Sequence, residues 1–190
     1  MIQISRKSWN ILTFMILLTG FLWIIYTATH YGRGTNGKTP APHQGFLAPD
    51  FTALSLSGEE VSLSSLKGKP VLVNLWASWC LPCRKEMPAM ERIYQDYRGE
   101  GFTILGVNAT RQDQIDKVNA FVQGYKLNFP ILLDENGEIT NAYQISAFPT
   151  SFFISADGII QDVVVGGPMS EALLRSRVEH LLEVSKSGAP

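Results

Sequence analysis

The pattern of hydrophobic and polar positions separates an uncharged N-terminal run from a longer region of short apolar runs. Residues 11–28 contain no charged side chain, and these eighteen residues would span about 27 Å as a helix. That length is close to the roughly 30 Å hydrocarbon core of a bilayer. Trp23 and Tyr26 lie near the end of the run, where interfacial aromatic residues are expected. The run has no polar face, which disfavours a helix packed on a soluble core. The pattern therefore predicts a transmembrane anchor.

A cleaved signal peptide is the alternative interpretation of this run. The apolar core of a signal peptide usually contains about 7–15 residues, which is shorter than the run here. Cleavage after Ala28 would place the bulky Tyr26 where a small residue is preferred, and sites at Thr27 or Thr29 match poorly. An uncleaved anchor is therefore favoured.

Four further segments complete the predicted organisation around the anchor. A short segment, 1–10, precedes the anchor. Residues 29–45 are rich in glycine, proline and polar residues, which predicts a flexible tether. A single domain is predicted over 46–185, followed by a disordered tail over 186–190.

The domain alternates strand-like and helix-like patterns. Strands linked through helices imply a parallel centre, and a late hairpin adds an antiparallel edge. We therefore predict an α/β fold in which helices cover a mixed sheet. The predicted elements are a hairpin over 51–63, buried strands over 71–76 and 102–108, helices over 82–97 (with a kink at Pro88) and 110–124, an extended segment over 129–134, a short helix over 138–143, a hairpin over 151–165 and a last helix capped by Ser170. Thr110 and Asp113 are able to cap the start of the helix over 110–124.

Composition narrows the possible functions of this domain. The formal net charge is −1, so no basic excess is available to neutralise the phosphates of a nucleic acid. The chain has 2 cysteines, too few for a scaffold held by structural disulfides. The cysteines are therefore expected to serve chemistry, and nucleic acid is not an expected partner.

Both cysteines lie in one Cys-x-x-Cys motif that follows a buried strand and opens a helix. Cys80 is predicted at the helix N-terminus, where free N–H groups and the helix dipole favour a thiolate. Cys83 lies one turn later and is predicted to be the resolving thiol. The pattern predicts a redox-active disulfide between Cys80 and Cys83, with Cys80 as the nucleophile.

Half of a zinc site is the competing interpretation of this motif. Zinc needs four ligands, or three and a water molecule. The three histidines lie near the anchor, in the tether and in the last helix, far along the chain from the cysteines: His30, His43 and His180. No metal site and no resident cofactor is therefore expected.

Two sequence blocks carry a resemblance to a known family. They are residues 71–88 (VLVNLWASWCLPCRKEMP) and 143–154 (YQISAFPTSFFI). Together with the N-terminal anchor they resemble the TlpA/ResA/CcmG family of membrane-tethered thioredoxin-like proteins, with ResA-type members most similar. The resemblance covers about 46–185 and implies a thioredoxin-like fold with an N-terminal β-hairpin and a central insert over 109–130.

The resemblance also implies a surface that binds the substrate. Pro149 falls where the family has a cis-proline facing the disulfide, whereas the residues alone would favour an ordinary trans proline. An extended substrate peptide can pair with the backbone beside such a proline. Phe148 replaces the small or aliphatic residue often found before it. The substrate-binding residues implied are Phe148, Pro149, Thr150, Trp79 and Pro82.

Two polar residues near the motif are assigned by the same resemblance. Asn74 stands where plain thioredoxins carry a buried aspartate, and it cannot titrate. Glu86, three residues after Cys83, matches the acidic residue of ResA-type proteins and is implied to be catalytic as a general base. The competing interpretation of Glu86 is a solvated charge on the helix surface.

The resemblance implies that the protein is a thiol–disulfide oxidoreductase that reduces a specific client disulfide. For ResA- and CcmG-type members the client is the Cys-x-x-Cys-His of apocytochrome c before haem attachment, and similar proteins serve spore-wall or oxidase assembly. A membrane thiol transporter would supply the electrons, because the bacterial exterior is oxidising. The motif itself works in either direction. A monomer is expected.

Localisation is predicted from charge and from the resemblance. Arg6 and Lys7 precede the anchor, but Arg33 and Lys38 follow it. The numbers of basic residues on the two sides of the span are therefore nearly equal, and the positive-inside rule alone does not fix the orientation. The basic residues before the anchor and the family resemblance together predict a cytoplasmic N-terminus and an extracytoplasmic domain. A single span would hold the protein at the cell membrane.

Two other functions compete with a reductase. A Cu(I)-binding metallochaperone is possible because two thiolates can hold Cu(I). Copper-delivery proteins on this fold, however, use a Cys-x-x-x-Cys spacing and a distant histidine, whereas residues 45–179 contain no histidine. A peroxidase is suggested by the segment 51–69 at the start of the domain, which resembles the broader redoxin group. The Pro-x-x-x-Thr/Ser-x-x-Cys pattern of the peroxidase nucleophile is, however, absent.

Overall fold

The computed structural model describes residues 6–31 and 39–187, without the side chains of 6–8, 10–13, 27–31 and 187. The chain divides between residues 36 and 37 into two compact units. The described residues of the first unit form helix α1 (Arg6–Tyr31). Among the described residues, no helix combines the length and the hydropathy that crossing a membrane requires. The predicted anchor over 11–28 lies partly outside the described side chains and stays a prediction.

The second unit contains a five-stranded mixed sheet and a separate two-stranded sheet. The strands are β1 (Thr52–Leu54), β2 (Glu60–Ser62), β3 (Val71–Trp76), β4 (Thr103–Asn108), β5 (Ile131–Leu133), β6 (Thr150–Ile154) and β7 (Ile160–Val165). The helices are α2 (Leu81–Tyr97), α3 (Ile115–Tyr125), α4 (Glu138–Ala142) and α5 (Glu171–Ser187). Short 3-10 turns occupy Leu63–Leu66, Arg98–Glu100 and Thr110–Gln112.

The order of the larger sheet is β5-β4-β3-β6-β7, with β3 at its centre. Strand β3 pairs in parallel with β4, and β4 with β5, whereas β3–β6 and β6–β7 are antiparallel. Strands β1 and β2 form the N-terminal antiparallel hairpin. The predicted mixed sheet, its antiparallel edge and the hairpin are confirmed.

The central strand β3 is buried along its whole length and separates two hydrophobic clusters. Leu72 and Trp76 pack in the cluster that includes residues of α2 and α5. Val71, Val73 and Leu75 pack on the opposite side. Side chains alternate along a strand, so the residue between Leu72 and Trp76 on their face, Asn74, points towards α2. This alternation places one polar side chain beside the active-site helix.

Three predicted boundaries are wrong. The helix expected over 110–124 begins only at Ile115, because a 3-10 turn precedes it, and it ends at Tyr125 with Lys126 in a left-handed conformation at φ 53°. The end of the predicted tether belongs to the folded unit, since Ala41 N–H donates to Leu47 O and Gly45 N–H to Ile160 O. Helix α5 continues to Ser187, into the predicted tail.

Parts of the other predicted segments lie outside the described residues, namely 1–5, 32–38 and 188–190. One local prediction is confirmed: Ser170 Oγ accepts a hydrogen bond from Leu173 N–H at 3.2 Å, as expected of a helix cap. Helix α2 runs through Pro88 without ending there, and the kink expected at Pro88 stays a prediction.

Candidate active site

The active-site disulfide joins the end of the loop after β3 to the first turn of α2. Cys80 is the N-cap of α2, and its Sγ accepts a hydrogen bond from Cys83 N–H at 3.2 Å. The two residues form a disulfide with their Cα atoms 5.3 Å apart. Cys83 is fully buried, whereas Cys80 keeps 4% of its surface exposed. Free N–H groups and the helix dipole at this end of α2 stabilise a thiolate on Cys80 once the disulfide is reduced.

Glu86 lies one turn after Cys83 and is buried, with 1% of its surface exposed. Its Oε1 accepts from Asn74 Nδ2 at 3.0 Å, and its Oε2 accepts from Met169 N–H at 3.0 Å. Burial raises the pKa of Glu86 from 4.5 to about 6, against the two hydrogen bonds, which lower it. A solvated surface charge is therefore the wrong interpretation of Glu86. The group can hold or release a proton near neutral pH.

Asn74 links Glu86 to the sheet. Its Nδ2 also donates to Ser151 Oγ, on the neighbouring strand β6, at 2.9 Å. Within the described part of the chain, Asn74 Oδ1 has no hydrogen-bond partner. Asn74 is thus a fixed donor to the Glu86 carboxylate, and titration in this pair belongs to Glu86.

The turn before β6 contains the cis-proline that the family resemblance implies. The Phe148–Pro149 peptide bond is cis, and the Pro149 carbonyl accepts from Gly166 N–H at 2.8 Å. Gly167, in the loop after β7, lies against both Pro149 and the acid. A Cβ atom added there would lie 2.8 Å from Pro149 Cγ and 2.8 Å from Glu86 Oε2. This loop also holds a second cis bond, Gly167–Pro168, which the sequence analysis did not predict.

A cavity of about 450 Å³ opens beside Cys80, and four of the predicted site residues line it. They are Trp79, Cys80, Pro82 and Phe148. The Trp79 side chain is 57% exposed, but its indole N–H donates to Gln112 O at 2.9 Å. Its ring also meets the Phe148 ring edge-on, with centroids 5.8 Å apart. We call this cavity the Cys80 cavity.

Thr150 occupies a different position from these lining residues. It is buried, and its hydroxyl donates to Ala147 O at 2.7 Å, across Pro149. The side chain therefore holds the turn that carries the cis-proline, and its hydroxyl is not directed to a client.

Asp113 is a site residue whose role the sequence analysis missed. Its Oδ2 accepts from Ser78 N–H at 2.6 Å and Asn108 Nδ2 at 2.9 Å, and its Oδ1 accepts from Ser78 Oγ at 2.6 Å and Gln114 N–H at 2.8 Å. Burial raises the pKa of Asp113, but these hydrogen bonds outweigh it and hold the pKa below its usual value. The carboxylate thus attaches the loop before Cys80 to the insert. The sequence suggested only a helix cap at this position.

Among the side chains that the structure describes, no group of three or more His, Cys, Asp or Glu is placed to hold a metal ion. The side chain of His30, one of the three histidines of the chain, lies outside the described side chains.

Comparison with known proteins supports the chemistry of this site. The model of the AhpC/TSA family matches residues 45–163. The thioredoxin-like protein YneN of Bacillus subtilis is 40% identical over 162 residues, which cover 84% of this chain and 91% of that protein. The thiol-disulfide oxidoreductase ResA of Geobacillus kaustophilus is 34% identical over 85% of this chain and 92% of its own length.

Solved structures of thioredoxin-like proteins are also similar to this chain. A putative thiol:disulfide interchange protein DsbE from Chlorobium tepidum superposes with a TM-score of 0.68 at 30% identity, over 74% of this chain and 98% of that one. StoA from Bacillus subtilis superposes with a TM-score of 0.60 at 32% identity, over 68% of this chain and 96% of that one. The chain belongs to the AhpC/TSA family and is a thioredoxin-like thiol–disulfide oxidoreductase of the ResA/DsbE type, with Cys80 and Cys83 as its Cys-x-x-Cys pair.

Proposed function

We propose that this oxidoreductase is a membrane-tethered, extracytoplasmic reductase of a specific protein disulfide. The observation that carries the proposal is the position of the Cys80–Cys83 pair, at a helix N-terminus and close in sequence to the buried acid Glu86. An exposed cavity lies beside the nucleophile. This arrangement suits attack on a polypeptide disulfide followed by protonation of the products.

The reaction begins from the dithiol form of the protein. The Cys80 thiolate attacks one sulfur of the client disulfide, which breaks that S–S bond and forms a mixed disulfide. The first client thiolate leaves and takes up a proton. Cys83, deprotonated, then attacks Cys80 Sγ, so the second client thiolate leaves and the Cys80–Cys83 disulfide forms. Two electrons and two protons pass to the client.

Glu86 is proposed as the general base for the Cys83 proton. Cys83 is fully buried and its thiol must lose a proton before the second attack. A carboxylate with a pKa of about 6 is mostly ionised at neutral pH and can accept that proton without being permanently protonated. Asn74, which donates to Oε1, fixes the orientation of the carboxylate.

The client, the reductant and the location are proposed from the family resemblance. The first candidate client is the Cys-x-x-Cys-His of apocytochrome c, and a sporulation or assembly client is the second. A membrane thiol transporter would reduce the Cys80–Cys83 disulfide again after each turnover. Residues 11–28 would anchor the domain outside the cytoplasm, which the uncharged run supports.

Trapping tests this proposal. In the full-length chain, Cys83→Ser removes the resolving thiol and should leave the client attached to Cys80 as a mixed disulfide that reductant releases. Cys80→Ser is the matched control, since it keeps Cys83 but lacks the nucleophile. We expect one or a few clients, identified by mass spectrometry from the bacterium that encodes the chain. Capture of thiol proteins without selectivity, or equal capture by both variants, would refute a specific reductase.

Location is tested with the same variant. In intact cells, a membrane-impermeant maleimide should label Cys80 of the reduced Cys83→Ser protein, and the protein should remain with the membrane fraction. Labelling only after the cells are lysed would contradict an extracytoplasmic domain.

A further inference from the structure

A second cavity is lined by Trp79 but not by the nucleophile. Its volume is about 650 Å³, and it lies between the loop before Cys80, the start of α2 and the insert helix α3. We call it the α3 cavity. Its lining includes Ser78, Arg84, Asp113, Lys117, Phe121 and Tyr125. It shares Trp79 and Gln112 with the Cys80 cavity, so the two cavities adjoin at these residues.

The Trp79 side chain, which both cavities share, is held in place by two contacts. The indole N–H of Trp79 is bound to Gln112 O, and the ring contacts Phe148 edge-on. A polypeptide with its cysteine at Cys80 can therefore cross a fixed aromatic edge to reach the α3 cavity. Ser78 lines this cavity only two residues from Cys80, within about 7 Å along the backbone.

The charge of the α3 cavity is positive. Arg84 and Lys117 line it, and among the described residues neither forms an ion pair. Asp113 is the acidic residue in the lining, but four donors already occupy its two oxygens. Both cationic side chains are thus left without an acidic partner beside the active site.

Two aromatic rings line the α3 cavity together with the cations. Phe121 and Tyr125 pack with ring centroids 4.6 Å apart, and the Arg84 guanidinium lies 5.9 Å from the centroid of the Phe121 ring. A lining of aromatic rings and two cations suits a side chain with apolar methylene groups and a terminal carboxylate. Glutamate has this combination, and aspartate has a shorter form of it.

We infer that the α3 cavity is a specificity subsite that binds an acidic side chain of the client polypeptide. The inference rests on the proposed function, because it names a chemical property of the client whose disulfide reacts at Cys80. An extended chain advances about 3.3 Å per residue. The acidic residue therefore lies about two to five positions from the reacting cysteine of the client.

Paired disulfide peptides test the inference. The two peptides are identical apart from Glu or Gln at these positions, and the reduced full-length chain is assayed with each. Exposed ion pairs contribute up to about 1 kcal/mol each. Two such pairs predict a preference in kcat/KM of about fivefold to thirtyfold for the Glu peptide at low salt, which falls as salt screens the charges.

Removal of the two cations should abolish that preference. The variant R84Q/K117Q is compared with K85Q, which removes an exposed charge from the same helix outside the α3 cavity. The readout is the ratio of the two peptides within one variant, so any change in the reactivity of Cys80 cancels. An equal ratio in the wild type and the double variant, or the same loss in K85Q, would overturn the subsite.

In the peptide assay, failure of the proposed function gives a different result from failure of the subsite. In that case the reduced chain would reduce neither peptide, although Cys80 still reacted with a small aromatic disulfide. The subsite would then be decided by calorimetry with the oxidised chain and peptides whose cysteines are replaced by serine. Tighter binding of the Glu peptide, lost in R84Q/K117Q, supports the subsite, and equal binding of both peptides overturns it.

Discussion

Replacement of Glu86 by Gln isolates the energetic cost of the buried acid. The pKa of Glu86 is raised from 4.5 to about 6, and one pKa unit corresponds to about 1.36 kcal/mol. Ionised Glu86 therefore costs the folded state about 2 kcal/mol at pH 7. Since the folded pKa is raised, this penalty is absent below pH 4.5 and develops as the pH rises through about 6.

The substitution removes the titration but also one of the two hydrogen bonds that Glu86 accepts. The single side-chain oxygen of glutamine can accept from Met169 N–H or from Asn74 Nδ2, and loss of the other bond costs about 1 kcal/mol of unfolding free energy. That loss does not depend on pH. The difference in unfolding free energy between the Glu86→Gln variant and the wild type should therefore shift by about 2 kcal/mol in favour of the variant from about pH 4 to pH 7.

Urea unfolding of the oxidised full-length chain measures this difference. In the oxidised form Cys80 and Cys83 do not titrate, and other titrating groups cancel between the variant and the wild type. Glu135→Gln, at an exposed position, is the matched control and should show no such shift. A difference between Glu86→Gln and the wild type that stays constant across this pH range would refute the raised pKa. In turnover assays, the wild-type inflection near pH 6 should be missing from the variant.

Three further substitutions test other contacts. Gly167→Ala places a Cβ 2.8 Å from Glu86 Oε2 and should lower unfolding free energy by about 1–3 kcal/mol in thermal or urea unfolding; Gly99→Ala, with nothing within 4 Å, should not, and equal effects would contradict the close contact. Asp113→Asn should cost about 1–3 kcal/mol at pH 7 by urea unfolding. Since the folded pKa of Asp113 is lowered, the ionised carboxylate stabilises the fold above the usual pKa of the group, and this stabilisation is lost as the pH falls through the lowered pKa. The cost of the substitution should therefore shrink at low pH; a cost that does not change with pH would contradict a stabilising role of the ionised carboxylate. Asn74→Asp adds a second buried carboxyl beside Glu86 and should cost about 2–4 kcal/mol at pH 7 but less at pH 5, with no pH dependence as the contrary outcome.

The sequence was sufficient to predict the chemistry of the site because that chemistry depends on local order. A Cys-x-x-Cys motif that opens a helix after a buried strand places Cys80 at the N-cap without any tertiary information. The contact between Glu86 and Met169 joins residues 83 positions apart, and no periodicity in the sequence encodes it. The burial of Glu86, which raises its pKa, therefore follows from the three-dimensional fold and could not be predicted from the sequence pattern.

The insert was harder to predict for a similar reason. Thr110 and Asp113 looked like residues that cap a helix, but the Asp113 carboxylate binds Ser78, 35 positions earlier in the chain. With that side chain committed elsewhere, α3 begins at Ile115 after a 3-10 turn. The tether was misjudged at its end because the backbone of 41–47 pairs with distant strand residues, which glycine and proline content does not reveal.

The reduction potential of the Cys80–Cys83 couple tests the central claim most directly. The oxidised full-length chain is equilibrated in thiol–disulfide buffers of known potential, and the fraction of dithiol is counted by alkylation and mass spectrometry. A reductase must give electrons to its client, so we predict a potential below about −200 mV, in the range of glutaredoxins and thioredoxin. A potential near about −120 mV, as oxidising as that of DsbA, would contradict the proposed direction of electron transfer.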